Sequence, residues 1–207
     1  MKKLLIIILT LMPLTLWAQD NTWERPEEEE PEETTSSAKV NPDEKYLRGA
    51  VPVVDGKVVF SKTIEAPGKN ADEVFSIVRK YMEKMTREKN QISSLLIIDD
   101  AEKHEVAGHY EEWLVFKSNA IMLDQTRFYY ALSAQCKDGK ADITISRIQY
   151  LYEENRKPQR IKAEDWIIDK EAVNKKNTRL YPITGKFRRK TIDRKDFLFN
   201  KFESLLK

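Results

Sequence analysis

Residues 126–152 constrain this chain more than any other stretch. From Thr126 to Cys136, Phe128, Tyr130, Leu132, Ala134 and Cys136 fall on one side. Arg127, Tyr129, Ser133 and Gln135 fall on the other. A period of two is that of a half-buried strand. Lys137-Asp138-Gly139-Lys140 follows, and Asp-Gly supplies the positive φ of a tight hairpin. The next strand runs from Ala141 to Tyr152. Its apolar phase sits on odd positions through Ile145 and on even positions from Ile148. A slip of one residue predicts a bulge near Ser146-Arg147. A long antiparallel hairpin with one apolar face needs helices over that face, so the domain has to be layered.

The rest of the chain supplies the layers. Val58, Phe60 and Ile64 share a face of a first strand that Pro67-Gly68 ends. Asn70 with Glu73 three residues on forms a capping box. Val74, Phe75, Val78, Tyr81, Met82 and Met85 then make the apolar stripe of a helix. Leu95–Ile98 and Glu105–Phe116 read as strands. After Glu153-Glu154 the chain turns polar, with one or two helical turns over Ala163–Ile168. Ile192–Leu206 closes the chain as a helix capped by Thr191. The expected fold is α+β: a two-layer, open antiparallel sheet of about five strands in β-α-β-β-β-β-α order, with helices on one face.

Ahead of the domain, Lys2 and Lys3 precede an apolar run from Leu4 to Leu16, and Ala18 closes it. This is the layout of a cleaved signal peptide over residues 1–18; the run is too short for a spanning helix, and Pro13 breaks it. No cysteine stands at the cleavage point, so a lipoprotein is not expected. Residues 19–49 read as a disordered, Glu/Pro-rich acidic linker, and residues 50–207 as a single domain. Residues 19–37 hold eight acids and one base, Arg25, whereas residues 38–207 hold 33 bases and 26 acids. An acidic segment is therefore tethered to a basic domain. Cys136 is the sole cysteine, so an exported domain must rely on its core, and Cys136 reads as buried packing.

Catalytic signatures are missing. There is no Gly-x-Ser-x-Gly, His-Glu-x-x-His, phosphate loop or dinucleotide fingerprint. His104 and His109 project to opposite sides of a strand, so no metal site is expected, and no cofactor. The acid pairs Asp99-Asp100, Glu111-Glu112 and Glu153-Glu154 are adjacent in sequence and point apart on strands.

Two surfaces remain. Lys186, Arg188, Arg189, Lys190 and Arg194, with Lys195, form a basic cluster at the expected start of the closing helix, where backbone N–H groups favour an anion. The second is the outward sheet face, with Arg127, Tyr129 and Gln135 from one strand and His109, Glu111 and Trp113 from its neighbour. Aromatic and polar side chains on one face suit a glycan, peptide or protein partner.

Three stretches carry a resemblance: Val53-Val54-Asp55-Gly56-Lys57-Val58-Val59-Phe60; Ala163-Glu164-Asp165-Trp166-Ile167 with Asp169-Lys170-Glu171; and Gly185 to Asp193. Through them residues 50–207 resemble an exported domain family of unknown function, common in Bacteroidetes and described as having a TATA-binding-protein-like fold. The resemblance implies that fold and supplies no functional residues. It does not imply nucleic-acid binding: the wedge-bearing saddle of a TATA-binding protein has two repeats, and this chain has one copy. Three functions stay open. The favoured one is an exported cell-envelope binding module without catalytic activity, recognising a protein or an anionic ligand. The others are an envelope hydrolase acting on glycan or peptide, and a structural subunit of an envelope assembly.

Overall fold

The computed structural model describes residues 41–118, 123–154 and 156–207. The leader and residues 19–40 of the acidic segment lie outside them. In chain order, a 3₁₀ turn at Glu44–Tyr46 leads into β1 (Val53–Val54), β2 (Lys57–Val58), β3 (Phe60–Glu65) and α1 (Ala71–Met85). Then come β4 (Leu95–Asp100), β5 (Glu105–Ser118), β6 (Leu123–Lys137), β7 (Lys140–Tyr152) and β8 (Gln159–Lys162). Two short helices follow, α2 (Ala163–Trp166) and α3 (Asp169–Ala172), and α4 (Pro182–Leu206) closes the chain. Strands pair in the order β3-β7-β6-β5-β4, all antiparallel, and β8 joins by pairing with β7. The domain is α+β with an open antiparallel sheet of six strands, one more than the sequence pattern predicts.

Local chemistry explains most boundaries. Asn70 caps α1: its side chain accepts from the Glu73 N–H and the Glu73 carboxylate accepts from the Asn70 N–H, both at 2.9 Å. Val74, Phe75, Val78, Tyr81, Met82 and Met85 are the buried stripe of that helix. The bulge forms where the apolar phase slips: Tyr129 pairs with Gln149 but Ala131 with Ser146, and Arg147 takes φ 55°. It lets β7 use one edge twice, pairing residues 140–145 with β3 and 149–152 with β8. Beneath the helices an aromatic row crosses the sheet. Tyr110 stacks on Tyr130 at 5.2 Å, Tyr130 meets Phe128 at 5.0 Å, and Phe128 stacks on Tyr150 at 5.6 Å. Cys136 is buried near the hairpin end of β6, opposite Ala141, and burial, helped by Asp142, pushes its thiol up to about 12.

Three expectations need correction. The closing helix starts at Pro182, not Thr191. Proline at the first turn is a helix-start signal, and Gly185, a poor helix former, obscures it. Gly185 is there for space, since a Cβ would lie 2.7 Å from the Leu180 Cβ. Thr191 is no cap; it is buried, with its hydroxyl 2.6 Å from that of Tyr150. β8 is the added strand, and only Ile161 of its four residues is buried, too little to alternate. Finally, residues 41–49, expected to belong to the linker, pack on the domain. The Asp43 carboxylate accepts from Arg189 at 2.9 Å and from the Leu180 N–H at 3.0 Å.

Candidate functional site

Among the described residues, helices cover one face of the sheet and leave the other bare, and Glu111 and Glu112, adjacent on β5, point to opposite sides of it. Cross-strand register builds the bare face in rows. Glu111 lies beside Tyr129, and Tyr129 beside Gln149; Trp113 lies beside Arg127, and Arg127 beside Leu151. β8 extends the rows with Lys162 beside Gln149 and Arg160 beside Leu151. At their centre the Arg127 guanidinium donates to Glu111 at 2.9 Å and to Glu154 at 2.7 Å, and it lies 5.5 Å from the Trp113 ring. These two carboxylates hold the arginine charge more firmly than usual, raising its pKa. Arg160 sits 4.8 Å over the Tyr129 ring. Burial, with a hydrogen bond to Glu111, raises the Tyr129 phenol.

A groove of about 540 Å³ runs from this cluster over the end of the sheet. Trp113, Gln125 and Leu151 line it from the bare face; Asp124 and Tyr152 line it at the rim, and Glu153 and Arg156 lie beyond the end of β7. Lys186 closes the rim by donating to Asp124 at 2.6 Å and to the Tyr152 hydroxyl at 2.8 Å. The groove offers flat rings, fixed charges and an amide, a set that orients a polar ligand.

Of the sheet-face residues expected from sequence, Glu111, Trp113, Arg127 and Tyr129 come together. His109 is exposed one step along β5, between Leu95 and Ala131. Gln135 lies six residues along β6 from Tyr129, roughly 20 Å away, and donates to the Lys103 carbonyl at 2.7 Å. The sequence pattern missed Arg160 and Glu154; the polar stretch after Glu153 hides both.

The basic cluster is not an anion site at a helix start, because the helix begins at Pro182 and the cluster lies inside it. Arg188 is fully buried and donates to the carbonyls of Tyr46, Leu47 and Ile167 and to Asp169. Arg194, 1% exposed, donates twice to the buried Glu112 at 2.7 Å. Arg189 holds Asp43, and Lys186 holds Asp124. Lys195 pairs with Asp196, and Lys190 is half-buried. The spacing of these residues follows the faces of α4 and serves to fasten the helix down. His104 is likewise taken up, its Nε2 lying 2.7 Å from Asp72. Among the described residues no group of three His, Cys, Asp or Glu converges as a metal site would require, and no helix is long and apolar enough to cross a membrane.

Residues 60–151 match a family model described as a domain of unknown function, DUF4468, with TBP-like fold. A crystal structure of a DUF4468 family protein from Bacteroides ovatus is 38% identical. The likeness covers 79% of this chain and 94% of that one, with a TM-score of 0.73. A TBP-like protein from Parabacteroides distasonis is 22% identical over 75% of this chain and 96% of that one, at a TM-score of 0.62, and so shares the fold. Among curated proteins nothing matches.

Proposed function

This chain belongs to the DUF4468 family of domains with a TBP-like fold, and from that premise we propose that it is an exported binding module of the cell envelope, non-catalytic, that holds its partner on the bare sheet face. The observation that carries this reading is the Arg127 cluster, in which two rings and two guanidinium groups stand fixed on an uncovered surface. Fixed aromatic and arginine side chains lose little freedom on binding, which is why they concentrate binding energy. Two carboxylates do converge there, as a glycosidase would require. Both accept from Arg127, and a carboxylate locked to a guanidinium is a poor proton donor. The groove leads from the cluster and suits a glycan or an extended peptide. The export leader puts that partner in the envelope.

The test is capture of envelope glycan and peptide fractions by the mature chain. Trp113→Ala should lower capture by about tenfold or more, in the range of a central aromatic contact, with thermal unfolding unchanged. Equal capture by both proteins would remove the bare face from the proposal. Turnover of either fraction, lost in Glu111→Gln or Glu154→Gln, would replace the binding module with a hydrolase.

A further inference from the structure

The two edges of the sheet are finished differently. At the β3 edge, Lys62 reaches Glu203 of α4 at 2.6 Å, and β8 ends the same side with Arg160 and Lys162. Charged side chains on an edge oppose pairing with another chain. β4 forms the other edge, and its first four residues, Leu95-Leu96-Ile97-Ile98, carry neither charge nor proline. Leu95 is 53% exposed, Ile97 52% and Ile98 39%. Of the eight large apolar side chains exposed among the described residues, these three fall within four positions. A free strand edge also presents unpaired N–H and C=O groups. Aliphatic side chains and free backbone together make a template for one more strand.

We infer that β4 is the interface through which two copies of this chain pair, edge to edge and antiparallel. Charge selects a second copy in that sense. The acids next to the run are already answered: Arg79 holds Asp99 at 2.8 Å, and Lys103 holds Asp100 at 2.9 Å. In any antiparallel pairing centred within residues 95–98, Asp99 and Asp100 lie opposite residues 90–97 of the second copy, none of them charged. A parallel pairing in register would instead set Asp99 on Asp99 and Asp100 on Asp100. The bulge agrees with one centre. Ile97 is the extra residue, so Leu95, paired with His109, and Ile98, paired with Ala107, share the bare face. A two-fold axis between Leu96 and Ile97 sets Leu95 opposite Ile98 of the second copy and leaves that face continuous. It also brings Ser93 and Ser94 against Asp100 and Asp99 of the second copy. The assembly has closed symmetry, buries both exposed runs, and carries two Arg127 clusters on one side of a twelve-stranded sheet.

Light scattering and native mass spectrometry of the mature chain test this. The wild type should show twice the chain mass, falling to one chain on dilution. Ile97→Lys should stay at one chain mass with an unchanged far-UV spectrum, because the replaced side chain is already half in water. A wild type that remains one chain at every concentration overturns the proposal, as does a dimer that survives Ile97→Lys. The single variants Leu95→Cys and Ile98→Cys, mixed in equal amounts, read the orientation. Carried on separate chains the two cysteines cannot bridge within one strand, and mild oxidation should link a Leu95→Cys chain to an Ile98→Cys chain, because the antiparallel register sets the two positions opposite each other, within the roughly 7 Å that a disulfide spans. Cys136 is buried and takes no part. Dimers that form without this crosslink would overturn the antiparallel arrangement.

Discussion

Glu111 and Glu112 differ by one position on β5, and each holds an arginine, on opposite sides of the sheet. Glu112 meets Arg194 beneath α4, where the two side chains are 0% and 1% exposed. Glu111 meets Arg127 on the bare face, at 15% and 28%. The same chemistry has different consequences because water differs. In the interior, burial works to lower the arginine pKa, yet the adjacent Glu112 outweighs it and the guanidinium stays charged. Asn90 and Gln91 also donate to Glu112. Such a pair costs most when one member is lost, because the other stays charged in a dry site. On the face, solvent screens the pair and makes it replaceable for the fold. One arginine fastens a helix, and the other carries the proposed recognition.

The comparison breaks first at Arg194. Arg194→Ala should lower stability by about 3–5 kcal/mol, the range for removing one partner of a buried pair, read as a fall in the urea midpoint. Arg194→Met with Glu112→Leu should recover much of that loss, because both charges leave together. Arg127→Ala should cost less than about 1 kcal/mol, with its effect in partner capture instead. High salt should narrow that small difference and leave the Arg194→Ala loss nearly intact.

The smallest effect lies at the far end of the bare face. The Asp142 carboxyl is held below its usual range by Lys137 at 2.8 Å, with Thr63 donating at 2.6 Å. A depressed carboxyl adds stability that is whole above its unfolded pKa and is lost as pH falls through the folded one. Asp142→Asn should therefore lower the melting temperature slightly at pH 7, and the two proteins should converge at about pH 2, below the ordinary aspartate range. A deficit that persists in acid would mean that Asp142 acts through packing.

Legibility from sequence followed how many residues on one element obeyed one pattern. The stripe of α1 and the alternation of β6 each rest on six or five apolar positions in phase, and both stand as read. β8 has one buried residue and left no pattern. α4 was half read, because its later apolar residues are regular while Gly185 and the arginines at its front resemble a loop. Four of the six sheet-face residues were brought together because alternation names a face. Alternation does not say where along the face they cluster, and Gln135 fell at the other end.

The sequence alone determined what local chemistry can express: the capping box at Asn70, the Asp-Gly turn, the slip near Arg147, and which side of each strand is greasy. Only the tertiary structure decided the fate of the charges. Arg188 and Arg194 look in the sequence like an exposed basic run, and they are buried because Tyr46, Leu47, Asp169 and Glu112, distant in the chain, arrive to receive them. An arginine costs little in water and much in a dry interior unless it is answered, and whether an answer arrives depends on contacts that no local window contains.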